Sequence, residues 1–374
     1  MPDWNLRDKA CIVGVGSTEY GAFPETDAVG LGVDALRAAV DDAGITFDDI
    51  DGVILNRLPY DRFAEVANLQ TPFLMPTEAH GRFSAIALNM AVEALASGQA
   101  KTIALVYGND GRSAKMKYGG GAGFWAPWGF TSPGASHAMM FRRHMARFGT
   151  TSEDLAHIAV AFRDHATKNP AAVMQKPITV EDHQNSRYVC DPLHLLDYCL
   201  INDGGVAWIM TTPERAKDMK QKPVYVSGYA RQDDFSQNSY PADDFWYPAL
   251  QKVASQIYDR AGLSRDDIDG LMIYDNFSPT VLFALEGMGF CKQGEGGAFV
   301  RDGTLQLGRG RWPTNTSGGH LSESYMQGWA LIVEAVRQLR GGQVPENRQI
   351  PNAKALQFLL ATPVAASIIL RNDA

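Results

Sequence analysis

No stretch of this chain holds about 18 consecutive uncharged apolar residues, so no membrane-spanning helix is expected. Cysteine is scarce: Cys11, Cys190, Cys199 and Cys291 are the four, and no CxxC pair exists. That excludes a disulfide scaffold and points to reduced thiols in the cytoplasm. Basic residues are outnumbered, 34 against 42 acidic, giving a formal net charge of −8 and disfavouring nucleic acid or an anionic membrane as partner. The segment GVGSTEYG after the first apolar run lacks G-x-G-x-x-G, and Gly119–Gly121 are not followed by G-K-[ST]. No H-E-x-x-H occurs among the eight histidines, so no metal is expected, and no G-x-S-x-G elbow exists for a serine hydrolase. The N-terminal MPDWNLRDKACIVGVGSTEY has mixed charge before a short apolar stretch, which reads as a strand and not as a signal peptide.

What is present is a globular composition, 45% hydrophobic over 374 residues, with no low-complexity tract. Residues 10–16 (ACIVGVG), 52–55 and 102–107 (TIALVY) read as buried strands; Val29–Ala43 and Ala85–Ala96 read as helices closed by Gly44 and Gly98. This alternation predicts a sheet covered by helices on both faces. From Asn109 to Asn202 the pattern changes to helical and irregular chain, including Phe124, Trp125 and Trp128, as in an excursion that covers a ligand pocket. The strand 206–210 marks the return, and VYVSGY near Pro223 opens a second half.

The second half repeats the first. AGITFDDIDGVIL (43–55) matches AGLSRDDIDGLMI (261–273), and EALASGQ (93–99) is echoed by EAVRQLRGGQ (334–343) in the same order. Two similar halves stacked on a shared core are expected. The helix at Ala85 should then correspond to the one after Tyr325, with both N-termini facing one site.

One stretch stands apart: Asn315–Gly328, NTSGGHLSESYMQG. Asn315 and Gly318–Gly319 predict a tight turn, because both residue types accept left-handed backbone. Ser322 and Ser324 are candidate N-caps for an apolar helix running from Tyr325 to Leu339. Polar side chains delivered to a helix N-terminus suit the stabilisation of negative charge.

These features resemble the thiolase superfamily, in particular the sterol-carrier and lipid-transfer-protein thiolases. The resemblance spans nearly the whole chain and rests on SEDLAHIAVAFRDHATKNP, KPITVEDHQNSRYVCDPLHLLDYCLINDGG, YDNFSPTVLFALEGMGF, NTSGGHLSESYMQG and EAVRQLRGG. It implies an α/β thiolase fold: two pseudo-symmetric βαβαβ halves, 1–222 and 223–374, stacked in α-β-α-β-α layers, with a helical loop domain (109–202) inserted in the first.

The catalytic positions of that family are altered. The nucleophilic cysteine position falls at Gly81, within HGRFSAIAL; Tyr325 stands at the histidine position, and Tyr274 at the asparagine or histidine that opens N-E-A-F or H-D-C-F. The final loop, LLATPVAASIIL, has no cysteine. Acyl-cysteine chemistry needs a thiolate beside a base, which Gly81 cannot supply. The exchange resembles the steroid side-chain-cleaving aldolases of the superfamily. It implies retro-aldol cleavage of a β-hydroxyacyl-CoA, with Tyr325 and Tyr274 as the catalytic pair. Tyr325, at the helix start, would transfer the proton and Tyr274 would hold a hydroxyl, thioester oxygen or water, with the exchange of these two roles left open by the sequence.

His320, His80, Gly81 and Asn276 would line the substrate pocket, with Asp275 structural. Each also has a plainer reading: Tyr325 and Tyr274 as core aromatics, His320 as a hydrogen-bonded structural histidine, Asn276 as a helix cap. The resemblance further implies no cofactor beyond the coenzyme A of the substrate. It implies a homodimer pairing across a sheet edge near TIALVY, and a heterotetramer with a small OB-fold, zinc-ribbon partner. The alternatives are a non-catalytic acyl-CoA or lipid-binding subunit, and an acyltransferase with another nucleophile.

Overall fold

The structure, a computed structural model, describes residues 4–77, 83–116, 126–234, 242–301 and 303–373. The first half runs β1 (Cys11–Ser17), α1 (Ala28–Ala43), β2 (Gly52–Asn56), α2 (Tyr60–Ala67), β3 (Phe73–Thr77), α3 (Phe83–Ala96) and β4 (Thr102–Asn109). The excursion holds α4 (Pro133–Phe148), α5 (Ser152–Thr167), α6 (Val180–Asn185) and a hairpin of β5 (Tyr188–Cys190) with β6 (Leu193–His194). The chain returns through β7 (Gly204–Thr211) and α7 (Pro213–Ala216). The second half runs β8 (Val224–Asp233), α8 (Tyr247–Ala261), β9 (Gly270–Ile273), α9 (Ser278–Gly287), α10 (Gly296–Arg301), the single turn α11 (Gly319–Ser322), α12 (Trp329–Arg340), β10 (Ala355–Leu360) and β11 (Val364–Arg371).

Local chemistry sets these boundaries. Asp27 caps α1 by accepting from Gly30 N–H at 2.9 Å, and Gly44 ends it at φ +72°. Ser132 caps α4, Pro133 occupies its first turn, and Gly149 closes it at φ +74°.

Among the described residues the main sheet has the order β3-β2-β4-β7-β1-β8-β11-β10-β9. It is two half-sheets spliced at β1–β8 by two residue pairs, Cys11–Tyr225 and Ile12–Val224. β2, β4, β7 and β1 correspond in order and direction to β9, β10, β11 and β8. The counterpart of β3 shrinks to one parallel bridge, Leu271–Thr314.

The repeated DDIDG does the same structural work in both halves. Asp49 forms a capping box with Thr46, and Asp267 one with Ser264. Asp51 accepts from the N–H groups of Lys101 and Thr102, and Asp269 from those of Lys354 and Ala355, at 2.7–3.0 Å. Each aspartate thus pins the start of the neighbouring parallel strand.

Alternate residues along each strand face opposite layers. Val13, Val53, Val106 and Ile209 pack under Val33, Leu36 and Val40 of α1. Leu105 and Trp208 from one half-sheet, and Met272 and Phe358 from the other, enclose α3 and α12 between them. Leu271, Leu359 and Ile369 meet α8 and α9 on the far side. The result is the α-β-α-β-α stack. In the central layer Trp329, the first residue of α12, stacks on Trp208 at 4.2 Å between centroids and on Tyr107 at 5.9 Å. Burying each such side chain contributes roughly 1.5–3 kcal/mol.

One expectation is overturned. TIALVY lies in β4, which pairs with β2 on one side and β7 on the other, so it offers no edge. The end strand on that side is β3.

Replacing Asp51 or Asp269 by alanine strands backbone donors at a strand start. We expect each to cost about 1–3 kcal/mol in a urea-unfolding measurement. Equal loss from the two sites would express the repeat as an energy; no loss at either would show that these clamps are idle.

Candidate active site

The site begins where β9 ends. Tyr274 follows Ile273 and stays in the ladder by donating its N–H to Leu359 O at 2.9 Å; its side chain is 3% exposed. Asn315, at φ +50°, lies alongside. Its Oδ1 accepts from Ile273 N–H at 2.7 Å and its Nδ2 donates to Ile273 O at 2.8 Å. A side-chain amide therefore mimics a neighbouring strand. The predicted turn follows, with Gly318 at φ +109° and Gly319 at φ +61°. Gly319 also leaves room for Asp275: a Cβ there would lie 2.4 Å from Asp275 Oδ2. Asp275 accepts from the N–H groups of His320 (2.9 Å) and Leu321 (3.2 Å), holding α11 against the end of β9. Burial raises its carboxyl well above the usual range. Its structural role agrees with expectation.

The helix does not start where the sequence suggests. Neither Ser322 nor Ser324 caps it; α11 is a single turn, and α12 begins at Trp329 with Gly328 as N-cap. Gln327 (φ +49°) and Gly328 (φ +87°) interrupt the backbone. Gly328 is needed for space as well, since a Cβ would meet Ser84 Oγ at 2.8 Å and Tyr274 Cδ2 at 3.2 Å. Tyr325 therefore sits in irregular chain ahead of α12. The N-terminal turn of α3, at Ser84, meets that of α12 beside the tyrosines.

Tyr274 and Tyr325 come together, their hydroxyls 2.9 Å apart. Tyr274 is buried and Tyr325 half-buried. Burial, first, drives the Tyr274 phenol well above its ordinary value, with the bond to Tyr325 opposing in part. His320 stands edge-on to both rings, at 4.8 Å from Tyr274 and 5.2 Å from Tyr325. It is fully buried. Its Nε2 accepts from Gly328 N–H at 2.9 Å, which places the proton on Nδ1. Nδ1 lies 3.3 Å from Asp275 Oδ1 but outside hydrogen-bond geometry. Burial lowers this imidazole to about 3, so it stays neutral. His320 thus adjoins both tyrosines and supports the turn at Gly328.

Asn276 is half-buried, and its Oδ1 accepts from Thr280 Oγ1 at 2.9 Å, bracing the first turn of α9 from just outside the N-cap Phe277. His80 and Gly81, with Phe124 and Trp125, lie outside the described residues. The cysteines are all free. Burial pushes the Cys11 and Cys291 thiols up to about 12 and also raises Cys199, the opposite of an activated nucleophile.

The segment 198–203, returning from the excursion, was not singled out by sequence reasoning. It runs along both halves of the site: Cys199 N–H donates to Asn276 O (3.1 Å), Leu200 N–H to His320 O (2.9 Å), and Tyr325 N–H to Asn202 Oδ1 (2.8 Å). The INDGG run ahead of β7 carried no sign of these contacts.

Two residues before Tyr325, buried Glu323 accepts from Ser317 Oγ at 2.6 Å and Asn169 Nδ2 at 3.1 Å. Burial, then the nearby Glu334 carboxylate, raises it from 4.5 to about 7. The folded protein therefore holds this proton more tightly than the unfolded chain. That stabilisation is complete below pH 4.5 and is lost as pH rises through 7. We expect the stability difference between wild type and Glu323→Gln to shift by on the order of 3 kcal/mol across that window in denaturant titrations. A pH-independent difference would refute the assignment.

Comparison with known proteins identifies the family. Residues 234–359 match the family described as Thiolase C-terminal domain-like. The chain is 35% identical over 369 residues to a steroid side-chain-cleaving aldolase of Thermomonospora curvata, covering 93% of this chain and 94% of that protein. It is 35% identical over 364 residues to a 17-hydroxy-3-oxo-4-pregnene-20-carboxyl-CoA lyase of Mycobacterium tuberculosis, covering 91% and 93%. The solved Ltp2-ChsH2(DUF35) aldolase superposes with a TM-score of 0.90 at 34% identity, covering 98% of both chains. On this fold and these relatives, the chain belongs to the thiolase superfamily, within the sterol-carrier-type branch that includes steroid side-chain-cleaving aldolases.

Proposed function

We propose that this protein is a carbon–carbon lyase that cleaves a β-hydroxyacyl-CoA by retro-aldol chemistry. The hydroxyl pair Tyr274–Tyr325, at 2.9 Å, carries the reading. The half-buried Tyr325 faces the reacting hydroxyl and takes its proton as phenolate. The Cα–Cβ bond breaks, the Cβ oxygen becomes a carbonyl, and the electron pair passes to the thioester as an enolate. The proton then returns to Cα, releasing a ketone or aldehyde and a shorter acyl-CoA. Tyr274 remains a neutral phenol because burial disfavours its ionisation, and its O–H donates to the Tyr325 oxygen. That bond stabilises the Tyr325 phenolate and replaces the direct substrate contact first expected of Tyr274. The N-termini of α3 and α12 beside the pair favour the enolate charge.

Coenzyme A enters as part of the substrate. The aldolase relatives support a steroid or similarly bulky acyl group, and a partner of the DUF35 kind is supported by the complex that the chain resembles. A homodimer that continues the main sheet would pair through β3. Among the described residues no helix is long and apolar enough to cross a membrane.

The test is incubation of the protein, with its DUF35-type partner, with a 17-hydroxypregnene-20-carboxyl-CoA. Cleavage between the hydroxyl-bearing and α carbons gives a 17-ketone and propionyl-CoA. Tyr325→Phe should lower kcat by about 10²–10⁴-fold, and Tyr274→Phe by roughly 10²-fold. Full activity in both variants would remove the tyrosines from the mechanism. Binding without turnover by the complete complex would instead identify a carrier subunit.

A further inference from the structure

Tyr274 is held by the sheet, but Tyr325 has no element of its own. It lies in irregular backbone between α11 and the left-handed pair Gln327–Gly328. Its N–H is taken by Asn202 Oδ1 at 2.8 Å. Asn202 is 1% exposed, its Nδ2 donates to Asp203 O at 3.1 Å, and its own carbonyl accepts from Asn109 Nδ2 at 2.6 Å. Asn109 is the last residue of β4. Tyr325 is thereby suspended from the first half-sheet through two side-chain amides, whereas its hydroxyl partner belongs to the second.

The neighbouring Asp203 does a separate job. Its carboxylate accepts from the N–H groups of Phe23, Arg112 and Ser113, tying down the loops at this end of the sheet. The Asn202 amide oxygen takes no part in that and goes to Tyr325.

We infer that Asn202 is a positioning residue for Tyr325, setting the distance of its hydroxyl from Tyr274 and from the substrate across the junction between the two half-sheets. The inference rests on the catalytic role proposed for Tyr325. A buried N–H left without an acceptor moves its segment toward any available partner, and displacement of a catalytic group by about 1 Å can cost 10²-fold in rate.

The experiment compares wild type, Asn202→Leu (same branching and heavy-atom count, no acceptor) and Asn202→Asp (acceptor retained), each with Tyr325 intact and in a Tyr325→Phe background. Steady-state cleavage of the 17-hydroxypregnene-20-carboxyl-CoA thioester by the full complex is the readout. Asn202→Leu should lower kcat roughly 10–100-fold with little change in KM, and Asn202→Asp should recover most of it. In the Tyr325→Phe background the leucine should change kcat by no more than about threefold, because coupled residues are not additive. Equal losses in both backgrounds, or no loss in either, would overturn the inference. Asn202→Ala serves the same comparison if the leucine variant fails to fold by thermal melting.

Amide hydrogen exchange supplies a readout independent of turnover. Protection at 323–328 should fall in the leucine variant while β9 keeps its own; unchanged protection would overturn the inference even in an inactive preparation. Absence of cleavage by wild type, with exchange behaving as expected, would overturn the proposed function and leave the Asn202 anchor standing.

Discussion

A single carboxamide substitutes for a strand at the edge of the second half-sheet, and the site depends on it. Where the first half has β3, the second has only the bridge at Thr314 and the Asn315 side chain bonded to both backbone groups of Ile273. Without that amide, a buried N–H and C=O at the end of β9 would lose their partners at a cost comparable to their full desolvation. The next residue is Tyr274, then Asp275, whose carboxylate grips α11. His165 of the excursion approaches the Asn315 carbonyl at 3.3 Å, so the cap is tied to the same point. One residue in left-handed conformation thus links strand, turn and cap.

The internal repeat shows how a structural position becomes a chemical one. Aligning Gly52 with Gly270 places Asn56 opposite Tyr274. In the first half, Asn56 Nδ2 donates to Thr77 Oγ1 at 2.8 Å and binds β2 to β3. In the second half no full strand stands there, and the equivalent side chain meets Tyr325 instead. Desolvation distinguishes the two phenols: Tyr274 is buried and its ionisation disfavoured, whereas Tyr325 is half-buried.

The layers were legible because they rest on properties carried by residue type. Apolar alternation, glycine stops and the duplicated DDIDG are local signals, and the structure uses both copies of that motif identically. The pairing of Tyr274 with Tyr325 followed from the family resemblance, which sets Tyr325 at the histidine position after N-x-x-G-G and Tyr274 at the asparagine position after the strand. The late start of α12 did not follow, because Gln327 adopts a left-handed conformation that its side chain does not announce. TIALVY reads the same at an edge as inside a sheet, since a strand buried on both faces shows only continuous apolarity. Asn202 escaped notice because its partner lies 123 residues away. The contact is made by a backbone N–H, which any residue could supply.

The sandwiching of α12 between half-sheets also bears on how the chain is made. A nascent chain that has completed β7 possesses every strand of the first half, yet Trp208 still lacks the Trp329 indole that covers it. That residue emerges more than a hundred positions later. For that interval the inner face, with Leu105 and Trp208, is protected by α3 and by whatever the translation machinery provides, the circumstance in which partly built domains recruit chaperones or aggregate. Delivery of α12 covers Trp208, yet β10 and β11, which join the strand of Tyr274 to the sheet and close over α12 with Phe358, emerge later still, so the hydroxyl pair waits for the last strands of the chain.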